Sequence, residues 1–389
     1  MNLLEGFWAV VQVTIGYNLV LPLLLYILAK VKTNKKHNQV QSTEEADYAI
    51  IVTAYQQTEL LHTVVNSILQ LNYSNYLVYI VADNCDISDL HFDNEKIILL
   101  KPDWVLASNT RSHFYAINRF VRPHQRLTII DSDNLVDPEF INQLNLLFDQ
   151  GLRAVQGIRK AKNLNTTFAC LDAARDIFYH YYDGKLLYQL GSSATLAGSG
   201  MAFDVALYQE CLGQMDIVGA GFDKVLQYEI VKRGYRIGYA AGAIVYDEKT
   251  SKSDQLVKQR ARWINTWFKY FVLGFSLITK GISHRSWNQL LFGLILLRPP
   301  LFIFLLLSLG CILINWLIGY SILPWFLGMM IFAAGFYLSL SSSNTDRRIY
   351  KALSSIPLFV FYQIKSLTKV FSANKLSVAT THIIEENNK

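Results

Sequence analysis

The stretch DYAIIVTAYQQTELLHTVVNSILQLNYSNYLVYIVADN, residues 47–84, decides the fold class. It begins with an apolar run, continues with apolar residues at helical spacing over 58–71, and ends with a second apolar run. A strand, a helix and a strand in this order are typical of a β-α-β unit. The alternation continues through EKIILLK (95–101), SHFYAINRFVR (112–122) and LTIID (127–131). The sequence therefore predicts an α/β domain with a doubly wound, mostly parallel sheet.

Polar residues follow three of the predicted strands, namely Thr53-Ala54-Tyr55, Asp83-Asn84 and Asp131-Ser132-Asp133. Ligands of such sheets bind beyond the carboxyl ends of the strands, so these residues predict one shared site. The chain has neither the GxGxxG pattern of a dinucleotide-binding turn nor the GxxxxGK[ST] pattern of a P-loop.

Asp131 and Asp133 are two residues apart and therefore share a face of the strand end. Two carboxylates in this position repel each other unless a cation or a proton lies between them. Mg²⁺ and Mn²⁺ accept such oxygen ligands, usually with substrate phosphates completing the shell. An ordinary turn is the structural alternative, because Asp and Asn are common turn residues.

The ends of the chain are more apolar than the middle, and hydrophobic residues make up 52% of the whole. Residues 7–29 are uncharged and long enough to span a bilayer. The lysines that follow, at 30, 32, 35 and 36, place the next segment in the cytoplasm by the positive-inside rule. A cleaved signal peptide is disfavoured, since the apolar stretch is too long and the charges stand on the wrong side.

A second uncharged region, residues 299–345, predicts two membrane helices over 299–318 and 322–340 with basic residues on both flanks. The stretches 263–278 and 356–371 are apolar but interrupted by lysines. We interpret both as amphipathic helices in the membrane interface, with full spans as the alternative.

The resulting organisation has six segments. They are an N-terminal transmembrane helix (1–30), a basic and polar linker (31–46), the α/β domain (47–262), an interfacial segment (263–297), a transmembrane hairpin (298–345), and an interfacial helix with a polar tail (346–389). The four cysteines form no CxxC pattern, which disfavours zinc and disulfides and suits a reducing compartment. The net charge of +6 comes with no basic-aromatic nucleic-acid module.

Six short motifs lie in order between the membrane segments: IVTAY (51–55), VADN (81–84), DSD (131–133), AGSGMAFD (197–204), GFDKVLQYEIVKRGYRIGYA (221–240) and QRARW (259–263). Together they cover more than half of the chain. Their order resembles that of family-two membrane glycosyltransferases of the processive polysaccharide-synthase or lipid-glycosylating type. Those enzymes have the GT-A nucleotide-sugar fold, a DxD metal motif and a (Q/R)xxRW motif.

The resemblance implies a role for each matching residue. Thr53, Ala54, Tyr55, Gln57, Asp83, Arg111, His113 and Asp131 would contact the nucleotide, with Asp83 on uracil. Asp133 and Asp131 would hold Mg²⁺ or Mn²⁺, which neutralises the departing diphosphate. Asp223 would be the general base of an inverting displacement. Gly198, Ser199, Gly200, Gln259, Arg260, Arg262 and Trp263 would lie at the acceptor end, where Arg can clamp phosphate and Trp offers a platform for a sugar ring.

The sequence departs from the family pattern at three places. Gln56-Gln57 replaces a common Asn-Glu, and Phe222 replaces the usual Glu before the catalytic Asp. His113 stands where a Lys is common, so Arg111 becomes the candidate for the phosphate contact. These changes affect the nucleotide contacts more than the family assignment.

From the residues alone, the motifs also have structural alternatives. Asp223 suits a helix N-cap, Arg260 and Arg262 suit interfacial anchors, and Gly198 and Gly200 suit an ordinary tight turn.

The resemblance implies a metal-dependent hexosyl- or N-acetylhexosaminyltransferase in the plasma or inner membrane. Its multi-pass chain would use a UDP-sugar donor and a polysaccharide or lipid acceptor at the cytoplasmic leaflet. Two C-terminal spans are few for a translocation channel, so three products stay open: a short polymer, a single sugar on a lipid, or a polymer exported with a homo-oligomer or partner. The other classes are a metal-dependent nucleotidyl- or phosphotransferase and a degenerate membrane scaffold. The nucleotidyl- or phosphotransferase would not need Asp223 or QRARW.

Overall fold

The computed structural model describes residues 3–32, 45–370 and 373. Most of the predicted linker, including Lys35 and Lys36, lies outside the described residues, and so does the polar tail after residue 373.

An eight-stranded sheet forms the centre of the domain. Its strands are β1 Tyr48–Tyr55, β2 Tyr76–Asp83, β3 Ile97–Leu100, β4 Arg126–Asp131, β5 Leu135–Val136, β6 Ala154–Ala161, β7 Met201–Asp204 and β8 Ile237–Asp247. The order across the sheet is β3-β2-β1-β4-β7-β6-β8-β5. The pairs β1–β2, β1–β4, β2–β3 and β6–β8 are parallel, whereas β7 is antiparallel to both of its neighbours and β5 to β8. The predicted α/β fold class is confirmed.

Helices cover both faces of the sheet. The helices are α1 Leu3–Val31, α2 Leu61–Leu69, α3 Asn109–Ile117, α4 Phe140–Phe148, α5 Thr167–Tyr179, α6 Leu187–Gln189, α7 Val205–Leu212, α8 Phe222–Lys232, α9 Ser253–Tyr270, α10 Leu273–Ser283, α11 Trp287–Leu297, α12 Leu301–Leu317, α13 Leu323–Ser341, α14 Arg347–Ala352 and α15 Ile356–Leu367. Helices α2 and α4 contribute to one buried apolar cluster, and α3, α7 and α8 to another. β2 is buried along its whole length between these two layers, which explains its nearly continuous apolar sequence.

Two predicted boundaries differ from the structure. The helix expected over 112–122 begins at Asn109, because Ser108 caps it by accepting a hydrogen bond from the Arg111 backbone N–H. The predicted boundary between the α/β domain and the interfacial segment, between residues 262 and 263, falls inside α9. This helix continues unbroken to Tyr270 before α10 begins. The QRARW motif and the start of the apolar segment therefore belong to one helix.

Within the described part of the chain, two helices, α1 and α13, are long and apolar enough to cross a membrane. Helices α11 and α12 count as a third span if taken together, although they meet at a bend of 70°. The bend falls at Arg298-Pro299-Pro300, where the prolines cannot continue a helical hydrogen-bond ladder. The predicted hairpin corresponds to α12 and α13.

Helices α1 and α13 pack in parallel. A Cβ atom built on Gly16 would lie 3.7 Å from the Trp325 ring, and one on Gly328 would lie 3.0 Å from Leu19. One on Gly335 would lie 3.6 Å from Pro22, so the contacts advance along both helices in the same direction. Small residues allow this close approach, as in other membrane helix pairs. The C-terminal ends of α1 and α13 consequently lie on the same side of the bundle.

A hairpin of α10 and α11 connects the domain to this bundle. Gly274 and Gly293 face each other so closely that a Cβ on either would lie under 3 Å from the other's carbonyl oxygen. On the domain side, the Gln289 side chain donates to the Val231 carbonyl at the end of α8 over 3.1 Å. The interfacial segment is therefore fixed to the helix that carries Asp223.

Candidate active site

The carboxyl ends of β1, β2 and β4 meet at one edge of the sheet. The registers pair Tyr55 with Asp83 and Thr53 with Asp131. The three polar strand ends identified in the sequence are therefore neighbours in the fold.

Asp83 holds the loop that follows β3. The side chain is 2% exposed, and its two oxygens accept the backbone N–H groups of Leu106 and Ala107 at 2.9 and 2.8 Å. On the other side, the Asp83 carbonyl accepts the N–H of Gln56, which follows β1 with a φ of 60°. The structure thus gives Asp83 a definite task in shaping the rim where a base would bind.

Two of the predicted nucleotide contacts, Arg111 and His113, occupy different environments. Arg111 is partly exposed and forms a bidentate pair with Asp216, with Nε 2.8 Å from the carboxylate. His113 is completely buried, with Nδ1 2.7 Å from the Tyr208 hydroxyl and its ring against Phe222. Burial lowers the pKa of His113 to about 3, which keeps the imidazole neutral. A fully buried side chain is out of reach of a bound nucleotide, so His113 is a packing residue and does not make the nucleotide contact that the resemblance implied.

Asp131 lies where several carboxylates converge. Burial, followed by the negative charges of Asp133, Asp247 and Asp223, raises the pKa of Asp131 to about 7, while the positive charge of Arg159 opposes the shift. Asp131 and Asp133 thus fit a divalent cation, because a cation would relieve this repulsion. The described residues contain no cluster of three or more His, Cys, Asp or Glu side chains suited to a metal. A cation held by the pair would need further oxygen ligands, such as phosphates.

The glycine-rich loop, residues 196–200, fastens the Asp131 turn. The Ser199 hydroxyl is fully buried, accepts the Asp131 backbone N–H at 3.1 Å and lies 2.7 Å from the Asn134 side-chain nitrogen. Gln156, on β6, accepts the Ala197 N–H at 2.9 Å. The Ser199 hydroxyl is therefore engaged by the Asp131 turn and is not directed at an acceptor.

The two glycines of this loop have left-handed backbones. Gly198 has a φ of 89° and Gly200 a φ of 67°, a region that favours glycine. A Cβ on Gly200 would also lie 3.0 Å from Val245, whereas none of the described atoms lies within 4 Å of the Gly198 position. Of the two glycines, Gly198 is therefore the one whose backbone has open space beside it.

Asp223 is attached to the other side of the same loop. It lies in the first turn of α8, and Lys224 Nζ is 3.0 Å from its carboxylate. Lys224 also donates to the Leu196 carbonyl at 3.0 Å, and the Gln227 side chain accepts the Leu196 N–H at 2.9 Å. Gly221, not Asp223, is the N-cap, and with a φ of 109° it packs against α9. One loop therefore joins the Asp131 turn to the Asp223 helix.

The QRARW motif is largely buried. The Gln259 side chain accepts from the Thr250 hydroxyl at 3.0 Å, and Arg260, 2% exposed, pairs with Asp172. Arg260 and Arg175 lie 4.1 and 4.2 Å from the Trp263 ring centre. Arg260 is therefore not available to clamp an acceptor phosphate, and the Trp263 indole is part of a charge cluster. Burial lowers the pKa of Arg262.

A chain of buried charges connects this cluster to the carboxylates. Its members, in order of contact, are Arg159, Asp247, Lys249, Asp176, Arg175, Asp172 and Arg260. The four cations and three carboxylates give this chain of charges a net charge of +1. Arg159, at its end, places positive charge near Asp131. Arg159 also donates to the Ala197 carbonyl at 2.6 Å. Buried charges are tolerated when they are paired in this way.

Sequence reasoning missed Gln156, Arg159, Asn134, Lys224 and Gln227. One signal was present, because VQGIRKA (155–161) contains polar residues inside a strand that begins as a buried apolar run. Asn134, Lys224 and Gln227 stand in no local sequence pattern that indicates contact with the loop 196–200 or the Asp131 turn.

We expect Ser199→Ala to weaken both stability and turnover. The change leaves the Asp131 N–H and the Asn134 amide without their shared acceptor, which costs roughly 1–3 kcal/mol of unfolding free energy. Ser193→Ala is a matched control, since Ser193 is equally buried, accepts the Ile237 N–H and donates to Asn288 away from the carboxylates. Both variants should lower the melting temperature, but only Ser199→Ala should reduce kcat. Equal losses of kcat would contradict the proposed role of the loop.

The domain is built on a mixed sheet with paired carboxylates at its carboxyl edge. A family model described as "Glycosyltransferase like family 2" matches residues 46–266, more than half of the chain. The chain belongs to this family.

The fold is GT-A-like, and a solved structure shares it. The mannosyltransferase PcManGT from Pyrobaculum calidifontis, in complex with GDP-Man and Mn²⁺, matches with a TM-score of 0.58 and 16% identity, over 95% of this chain and 99% of that one. TarS from S. aureus is more distant. A TarS structure matches at a TM-score of 0.39 and 13% identity over 60% of this chain and 40% of that one, and TarS 1–349 at 0.42 and 12% over 84% and 90%. No curated protein matches the chain.

Proposed function

We propose that the chain is an inverting, metal-dependent membrane glycosyltransferase. It moves a hexosyl or N-acetylhexosaminyl group from a nucleoside-diphosphate sugar to a polysaccharide or lipid acceptor at the cytoplasmic leaflet. The observation that carries the proposal is the loop 196–200, which binds the Asp131 turn on one side and the Asp223 helix on the other.

In this mechanism, Asp133 and Asp131 would hold Mg²⁺ or Mn²⁺. The ion would supply positive charge to the diphosphate as it leaves. Asp223 takes the proton from the acceptor hydroxyl as that oxygen attacks the anomeric carbon, opposite the leaving group. Lys224, 3.0 Å from the carboxylate, orients Asp223 through its second contact with Leu196.

The donor is a nucleoside diphosphate sugar bound along the rim formed by Thr53, Ala54, Tyr55 and Gln57. Asp83 shapes this rim through residues 106–107. The GDP-Man and Mn²⁺ in the Pyrobaculum structure support this donor class and a divalent metal. The UDP donor rests on the resemblance of VADN (81–84) to a uracil-binding motif.

The catalytic domain faces the cytoplasm. Lys30 and Lys32 lie at the end of α1, and Arg347 and Arg348 follow α13. The parallel packing of α1 and α13 brings these basic ends to one side, the side that carries the domain. The positive-inside rule supports a cytoplasmic position for that side.

A donor screen tests the function. Full-length protein in detergent, with Mg²⁺ or Mn²⁺, should release UDP from at least one UDP-sugar, and mass analysis of lipids and polymers should identify the product. GDP-mannose is the comparison donor. If no sugar nucleotide binds at any divalent-metal concentration, the proposal is wrong.

A further inference from the structure

Exposed apolar side chains are rare in the catalytic domain. Among residues 47–250, all of them described, the large hydrophobic residues that are exposed are Trp104 (61%), Val105 (52%), Val121 (67%) and Val218 (45%). Three of the four lie on two loops, the one after β3 and the one before α8. We call Trp104, Val105 and Val218 the loop patch. Concentrated apolar exposure of this kind marks an interaction surface.

The two loops are fastened together. The Ser108 hydroxyl donates to the Ile217 carbonyl at 2.7 Å, and Arg111 bridges the loops by binding Asp216 and the Leu106 carbonyl. Trp104 packs edge-on against Tyr115, with ring centres 6.2 Å apart. The loop patch is therefore held in place by the domain, even though its side chains are exposed.

The second loop leads directly to the interfacial helices. Gly221, three residues after Val218, approaches α9 so closely that a Cβ there would lie 2.6 Å from Tyr270 and 2.7 Å from Thr266. Beyond this contact, Phe268, Val272 and Phe275 are 47–56% exposed. Their spacing of four and three residues suits one face across the α9–α10 junction.

We propose that the loop patch lies in the lipid headgroup region of the bilayer, beside the exposed face of α9 and α10. Trp favours this region, because its indole has both an apolar body and a polar N–H group. Exposed Lys101 and Lys269 would meet anionic headgroups. The membrane helices of the same chain hold the domain at a lipid surface, so no additional protein is needed to cover the patch. The rim near Asp83 would then open at the bilayer surface.

The cysteines of the chain make this placement testable. Cys85, Cys170, Cys211 and Cys311 are all buried, so one introduced surface cysteine can be labelled selectively. Trp104→Cys and Val218→Cys, each carrying an environment-sensitive NBD fluorophore, would be placed in nanodiscs that contain spin-labelled lipid. Val121→Cys is the matched control, being equally exposed but located between α3 and the amino end of β4.

We expect NBD emission at positions 104 and 218 to be shifted to the blue and quenched several-fold more by spin-labelled lipid than emission at 121. Aqueous iodide should show the opposite order. The proposal would be overturned if iodide and spin-labelled lipid quenched the labels at 104 and 218 to the same extent as the label at 121. A second outcome would also overturn it: the labels are shielded from both quenchers, but this shielding disappears when each nanodisc holds one copy of the protein. In that case a second copy of the chain would cover the patch.

The test does not depend on the proposed activity. The same labels placed in an Asp223→Asn background should give the same quenching pattern. Loss of transfer would therefore leave the membrane placement unaffected, and a failed placement would leave the donor screen interpretable.

Discussion

Asp223→Asn should abolish sugar transfer while nucleotide-sugar binding survives. The amide keeps the size of the carboxylate and can still contact Lys224, but it cannot accept the proton of the acceptor hydroxyl. Loss of a general base typically lowers the rate by roughly 10²- to 10⁴-fold. The measurement is kcat for product formation, together with calorimetric titration of the donor nucleotide. The donor affinity should change little, since the Asp223 helix contacts the loop 196–200 at Leu196, whereas the Asp131 turn contacts it at Ser199.

Glu210→Gln is the control for this change. Glu210 lies on the neighbouring helix α7, is half-exposed on its side chain and pairs with Arg233 away from the carboxylate group. The same carboxylate-to-amide exchange there should leave kcat within about twofold of the wild type, because exposed ion pairs contribute about 0–1 kcal/mol. Retained transfer in Asp223→Asn would assign the proton acceptor to another residue.

The sheet and the strand-end site were predictable because their signals are local. IVTAY (51–55) and VYIVAD (78–83) are buried on both faces of β1 and β2, and burial produces a continuous apolar run followed by polar residues. Helices α1 and α13 were equally clear as candidate membrane spans, since length and apolar composition nearly decide them, whereas α12 qualifies only together with α11. The antiparallel insertion of β7 was not visible, because Met201–Asp204 is short and its partners β4 and β6 are distant in sequence.

The side-chain environments in QRARW could not be read from the motif. Arg260 and Trp263 occur in a helix with charged and apolar residues, which suits an exposed interfacial position equally well. Their burial depends on Asp172 and Arg175 of α5, almost ninety residues earlier in the chain. His113 was misassigned for a related reason, because its partners Tyr208 and Phe222 reach it only through tertiary packing.

Asp133→Asn should remove the response to divalent metal. The DSD turn offers two carboxylates, those of Asp131 and Asp133. Two protein ligands do not fill the coordination shell of Mg²⁺ or Mn²⁺. We therefore expect the wild type to bind Mn²⁺ weakly alone and more tightly with a nucleoside diphosphate, whose phosphates add ligands. With one carboxylate replaced by an amide, both affinities should fall, and transfer should drop by roughly 10³-fold, since the ion contributes several kcal/mol of charge stabilisation.

Asp137→Asn separates this effect from a general loss of charge. Asp137 lies four residues further on, where it accepts the Glu139 N–H at 3.1 Å and the Tyr246 hydroxyl at 3.3 Å. The Asp137→Asn variant should be slightly less stable than the wild type. Its Mn²⁺ binding should be unchanged, as measured by electron paramagnetic resonance of free Mn²⁺. If Asp133→Asn binds Mn²⁺ and nucleotide as the wild type does, the ion is held elsewhere. The repulsion between Asp131 and Asp133 would then be offset by the positive charge of Arg159 at the end of the buried ion chain.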